Sequence, residues 1–183
     1  QIEVVPPNVN LSEVDFSVGD RKIFFGLSAI KSCGGSAAEA LVKERKENGP
    51  FNNLFDLCER VEASACNRST LETLIKSGAM DCFGFHRSQL LAILDRALQA
   101  GAAALSDRLS GQQNLFGGFD EEGDEESGEV DMPDLPELPD REKALAEKEV
   151  LGFYLTSHPL GSAFIRVPEP PATITAYLSI GLM

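Results

Sequence analysis

Apolar and polar positions change period several times along the 183-residue chain, and each change marks an element. In "DFSVGDRKIFFGL", Asp15 to Leu27, Phe16 and Val18 alternate with polar neighbours, Gly19-Asp20 supplies a turn, and Ile23 to Phe25 returns as an apolar strand. That is the signature of a short β-hairpin. The period then becomes helical. "SAAEALVKERKENG" places Ala37, Ala40, Leu41 and, less cleanly, Glu44 on successive turns; Ser36 with Glu39 predicts a capping box, and Asn48-Gly49-Pro50 a stop. In "FNNLFDLCERV", Phe51, Leu54, Phe55 and Cys58 fall at i, i+3, i+4, i+7, the spacing of one buried helix face. "NRSTLETLIKSGAM" offers Asn67 or Ser69 as N-cap and Gly78 as terminator, and "HRSQLLAILDRALQAGAAAL", with Leu90, Leu91, Leu94 and Leu98, predicts the longest helix. Short helices joined by short turns predict a mainly α fold, a small helical domain with one short N-terminal β-hairpin.

From Ser106 the periodicity decays into "FDEEGDEESGEVDMPDLPELPD", too poor in apolar groups to offset the entropy of ordering it, so residues 106–140 are expected to form an acidic flexible linker. A last amphipathic run, "REKALAEKEVLGFYLTSHPL", predicts a connecting helix over 141–160, ended by Pro159, and the tail 161–183 has no assignment. Segments 1–27 and 28–105 carry the hairpin and the helical domain.

The formal net charge of −13 argues against a nucleic-acid partner only as an average. Between Arg21 and Gln99, eleven bases face nine acids, whereas Asp120 to Asp140 holds eleven acids and no base. The apolar content of 43% permits a core. No apolar run long enough to span a membrane is present, nor a basic then apolar leader, so no membrane partner and a cytoplasmic location are expected. Cys33, Cys58, Cys66 and Cys82 lack disulfide or zinc-ribbon spacing and read as free thiols. Cys82 and His86 stand four apart on one helical face, but a metal needs further ligands that the sequence does not offer. The chain begins at Gln1 and reads as a piece of a longer polypeptide.

Two stretches share a design that suits phosphate. "IKSCGGSAAEALVKER" and "IKSGAMDCFGFHRSQLLAIL" each pass a Gly-containing turn and immediately start a helix. The first amides of such a helix have no intrahelical partner, and together with the dipole they attract an anion without reading bases. Lys31, Gly34, Gly35 and Ser36 form the first candidate site; Gly84, His86, Arg87 and Ser88 form the second. Lys43, Arg45, Arg68 and Lys76 lie near in sequence. Gly before a helix is also an ordinary turn, and helix bases also serve as a solvated face.

A third feature is "GQQNLFGG", which brackets the apolar pair Leu115-Phe116 between glycines ahead of the acid run. No core periodicity explains it. The pair either folds back on the helices or awaits a partner's pocket.

The ordered blocks "VVPPNVNLSEVDFSV", "RKIFFGLSAIK", "GPFNNLFDLCERV", "NRSTLETLIKSGAMDCFGFHRSQLL", "QQNLF" and "EKEVLGFYLTSHPL" resemble the alpha subunit of bacterial DNA polymerase III, over residues 4–160. The resemblance implies the end of the fingers, tandem helix-hairpin-helix motifs that hold duplex DNA, and a Gln-x-x-Leu-Phe segment that docks on the sliding clamp, the beta subunit. Gln112, Leu115 and Phe116 match that segment. Burying Leu and Phe contributes ~1.5–3 kcal/mol each. After ordering costs, the expected affinity is roughly micromolar, and simultaneous DNA contact raises the avidity. Two departures stand out: Ser32 takes the place of a usual Gly in the first hairpin, and "GSAFIRVPEPPATITAYLSIGLM" does not match the OB domain expected next. The family's metal-binding aspartates belong to its palm, so no catalytic residue, metal or cofactor is expected here, the magnesium belonging to the parent polymerase. Rival readings are a helical protein-interaction or structural module without DNA binding, and the same region of an error-prone polymerase relative.

Overall fold

The computed structural model describes residues 3–19, 21–62, 64–110 and 132–155. Strands β1 (Glu3–Val5), β2 (Ser17–Gly19) and β3 (Lys22–Phe24) form a sheet of order β1-β3-β2. The expected hairpin is present, with Ser17 opposite Phe24 and Gly19 opposite Lys22. Gly19 is therefore the last residue of its strand, and the turn sits one residue later than the sequence suggests, with Arg21 in the left-handed region at φ 62°. β1, which pairs parallel to β3, has too short an apolar run to show in the pattern.

Helices α1 (Gly35–Asn48), α2 (Leu54–Arg60), α3 (Arg68–Lys76), α4 (Arg87–Ser110) and α5 (Asp140–Leu151) complete the architecture. Their termini follow local chemistry. The side chains of Asn53 and Asn67 accept from the amides of Asp56 and Thr70, capping α2 and α3. Gly49 and Gly78, at φ 86° and 82°, end α1 and the α3 segment. The predicted capping box on α1 does not form: the helix begins a residue before Ser36, Gly34 is its N-cap, and no side chain caps it. α5 ends at Leu151 rather than near Pro159, because Gly152 takes the left-handed conformation at φ 87° and its amide closes on Lys148 O.

One core joins the N-terminal sheet to all five helices. Val9, Phe25, Leu27 and Ile30 meet Leu41 of α1, Leu54 and Leu57 of α2, Leu71, Leu74 and Ile75 of α3, Leu90 and Leu94 of α4, and Val150 and Leu151 of α5. The helix faces differ slightly from those predicted: in α2 Leu57 is fully buried while Phe55 and Cys58 are half-buried, and in α4 Ile93 and Ala97 are buried beside Leu90 and Leu94, with Leu91 and Leu98 half-buried against the same core. α4 lies across α2 and α3, and α5 lies against α3. The thiols are free. Burial pushes Cys33 up to about 11 and Cys58 up to about 12, which leaves both unreactive.

Candidate nucleic-acid interface

Both Gly-containing turns that the sequence marks ahead of a helix are present, and they differ. In the first, a 3-10 turn at Leu27–Ala29 leads through Ile30 to α1. Ser32 holds φ 63°, the left-handed conformation that a glycine would adopt without strain, and the turn is pinned where the Thr70 hydroxyl donates to Ser32 O at 3.1 Å. Lys31, Gly34, Gly35 and Ser36 are all exposed. Gly34 has ordinary extended dihedrals, φ −62° and ψ 166°, and a Cβ added at Gly34 or Gly35 would meet nothing within 4 Å. No interior contact demands glycine at either place.

In the second turn, Gly84 at φ 77° carries the chain from a 3-10 turn at Asp81–Phe83 towards α4. The Gln89 side chain reaches back to accept from the His86 amide at 2.9 Å, half of a capping box. The Arg87 amide, the first donor of α4, is already engaged: it donates to the Glu137 carboxylate, 3.1 Å to Oε1 and 3.4 Å to Oε2. The Leu138 amide donates to the same Oε1 at 2.8 Å, and His86 Nδ1 lies 3.6 Å from Oε2. Alongside, the Ser88 hydroxyl donates to Pro136 O at 2.7 Å and Gln89 Nε2 to Pro133 O at 2.9 Å. Burial works to raise the Glu137 pKa, but the Leu138 and Arg87 amides, with the charges of Lys143 and His86, hold it below the usual carboxylate range. A carboxylate at a helix N-terminus contributes ~0.3–1 kcal/mol when exposed and up to ~2 when partly buried. Residues 132–139, expected as part of the flexible linker, thus lie as an extended strap along the start of α4, with Met132 against the core. Composition argued for disorder because it is blind to a specific anion seat.

Arg87 requires a correction. Its guanidinium is not presented to solvent: the side chain is 5% exposed and forks onto Asp81 through Nε at 2.9 Å and Nη2 at 2.7 Å. Nη1 donates to Lys76 O at 3.2 Å and to the fully buried Glu147 of α5 at 3.1 Å. Burial alone would lower its pKa; Asp81 and Glu147 hold it above the ordinary value. The neighbouring bases are also committed. Arg45 and Lys46 pair with Glu13, Arg68 with Asp95 and Glu72, Lys76 with Glu72, and Lys43 with Glu47. Lys31 differs: its amide donates to Val150 O at 2.9 Å, while its exposed side chain makes no ion pair among the described residues.

The Leu115-Phe116 pair and Gln112 lie outside the described residues. Among the described residues, no group of three or more His, Cys, Asp or Glu is placed to hold a metal ion, and Cys82 instead donates to Ala79 O at 3.8 Å. No described helix is long and apolar enough to cross a membrane. Glu137, Gln89 and Glu147 escape a sequence search for basic phosphate sites; only Glu147 leaves a trace, as a charge on the apolar face of α5 between Ala144 and Val150.

Comparison with known proteins places this geometry in context. Residues 1–90, which span both turns, match the family described as helix-hairpin-helix motif. The DNA polymerase III subunit alpha of Buchnera aphidicola (subspecies Acyrthosiphon pisum) is 41% identical over 162 residues, covering 87% of this chain and 14% of that protein. That of Pseudomonas aeruginosa is 39% identical over 176 residues, 87% of this chain and 15% of that protein. That of Bacillus subtilis is 42% identical over 191 residues, 100% of this chain and 16% of that protein.

Proposed function

Because the chain belongs to the family of DNA polymerase III alpha subunits, we propose that it is a non-catalytic portion of such a subunit that holds duplex DNA without reading its sequence and tethers it to the sliding clamp. It spans about one seventh of its relatives' length, 14% for the first of them. The parent's polymerisation, its magnesium and its other partners lie with the remainder.

The observation that carries the DNA reading is the glycine pair at the first turn. Gly34 and Gly35 face open space and adopt no conformation forbidden to alanine. Their small size serves an approaching group outside the chain, and the uncapped amides of α1 beside Lys31 make that group an anion. Gly34→Ala and Gly35→Ala should therefore leave the melting temperature within about 2 °C of the parent, as surface changes do, yet weaken duplex binding several-fold. Lys31→Ala should lower the dependence of log affinity on log salt by roughly one phosphate contact. Fluorescence anisotropy of a labelled duplex across a salt series tests both. Full affinity in all three variants would refute the reading.

A second reading, a structural module whose hairpins only pack helices, draws on the internal pairing of most bases near the turns. It predicts no duplex binding near physiological salt, and the same titration separates the two.

The clamp reading rests on the match of Gln112, Leu115 and Phe116 to Gln-x-x-Leu-Phe. Leu115→Ala with Phe116→Ala should abolish capture of a bacterial sliding clamp in a pull-down while leaving duplex affinity intact. Unchanged capture would overturn it. An error-prone polymerase relative would give the same results, so these tests concern this segment rather than its parent's fidelity.

A further inference from the structure

We propose that the strap at 132–139 is an autoinhibitory contact: the Glu137 carboxylate occupies, in the free chain, the place on the second hairpin that a DNA phosphate takes, and duplex DNA binds there by displacing it. The inference rests on the DNA reading above and adds regulation of one of its two sites.

Several independent features converge on it. Glu137 comes from 50 residues further along the chain than Arg87, whose amide it accepts at 3.1 Å. A carboxylate and a phosphodiester are both singly charged anions whose oxygens accept from the same amides, so they compete for one seat. The strap also covers the flanking donors a phosphate would use: the Ser88 hydroxyl is spent on Pro136 O at 2.7 Å, and His86 faces Glu137 at 3.6 Å. The first hairpin, by contrast, carries no acid at its helix start. The two motifs are thus in opposite states within one structure.

The strap is held in a way that permits release. Asp134, Leu135 and Pro136 are exposed, and its anchors are the polar contacts just named, the bond from Gln89 Nε2 to Pro133 O at 2.9 Å, and the half-buried Met132, Pro133 and Leu138. The Arg87 guanidinium belongs to the interior network with Asp81 and Glu147, so departure of the strap removes no buried partner from that charge. A competing phosphate takes over the Arg87 amide and the Ser88 hydroxyl, and repulsion between the duplex and the acids Asp134 and Glu137 favours the exchange once the first hairpin is engaged.

The test compares Glu137→Gln with Asp134→Asn in the full 183-residue chain, using a 20-base-pair duplex as probe. Both substitutions remove one negative charge from the strap; only Glu137 touches α4. Displacement predicts that Glu137→Gln tightens binding about fivefold while Asp134→Asn changes it by less than about twofold, the screened long-range effect alone. Hydrogen exchange then checks the direction of the change: in the parent chain, saturating duplex should speed exchange at the Leu138 amide while that of the Arg87 amide stays slow. Equal effects of the two substitutions, or a Leu138 amide equally protected with and without DNA, would overturn the displacement while leaving duplex binding through the first hairpin in place. Absence of binding by every variant would remove both readings together.

Discussion

Replacing Arg87 with Ala should destabilise the fold by about 3–5 kcal/mol, because it strands charge inside rather than removing it from a surface. Four polar contacts converge on that guanidinium: two from Asp81, one from Lys76 O and one from Glu147. Asp81 is half exposed and can turn to water, but the Glu147 side chain is 0% exposed and cannot. Losing the guanidinium that faces it at 3.1 Å takes an ion-pair partner from a carboxylate closed off from water, which is costly. The loss should appear as a fall in melting temperature on the order of 10 °C and as a lower urea midpoint. Arg87→Lys should recover only part of it, since an ammonium cannot form the fork onto Asp81. The double change Arg87→Met with Glu147→Leu should restore most of the stability, because an apolar pair of similar size needs no compensation. A cost for Arg87→Ala within about 1 kcal/mol would show that the network is as solvated as a surface pair. The result also bears on function. Arg87 contributes its amide at the second hairpin, and its side chain ties the hairpin to α5.

That division between amide and side chain marks where a sequence stops being legible. The helices show in the sequence because each buries one face at a period of 3.6 residues and is punctuated by local chemistry: Asn67 before α3, Gly78 after it, and Gly49-Pro50 after α1. The turns at Gly34-Gly35 and Gly84 show for the same reason. What does not show depends on contacts between distant segments. Arg87 in the first turn of a helix has the composition of a phosphate ligand, and only the arrival of Glu147 sixty residues later turns it inward. The acidic segment reads as disordered because its own residues cannot form a core; Glu137 is held by an amide that the sequence cannot place beside it. Ser36 and Glu39 satisfy the spacing of a capping box, yet the N-cap of α1 is Gly34, two residues earlier. Local signals give elements reliably, and non-local partners decide what a charged residue in an element does.

Gly101 is the clearest case of such a non-local demand, and substituting it carries the second large expected effect. In "QAGAAAL" it looks like a weak point in a helix, where alanine would add ~1 kcal/mol through helix propensity. In the fold, the point where a Gly101 Cβ would sit is 2.3 Å from Cys58 O and 2.8 Å from the Cys58 carbonyl carbon. These are backbone atoms of α2, so no side-chain rotation relieves the clash, and α4 would have to move away from α2. The pair cannot separate freely, because Leu54 and Leu57 on one side and Leu94 and Ala97 on the other are already buried at close to 0% exposure. Gly101→Val should therefore cost about 3 kcal/mol as overpacking, and Gly101→Ala about 1–2 kcal/mol after its propensity gain is offset. Ala103→Val, on the exposed face two residues away, should stay within about 0.5 kcal/mol of the parent. Urea unfolding read by far-ultraviolet circular dichroism measures all three, with an unchanged denaturant slope expected if only native packing is altered. If Gly101→Ala instead raises stability by the full propensity increment, the close approach of α2 and α4 is wrong, and so is the way α4 is held beneath the second hairpin.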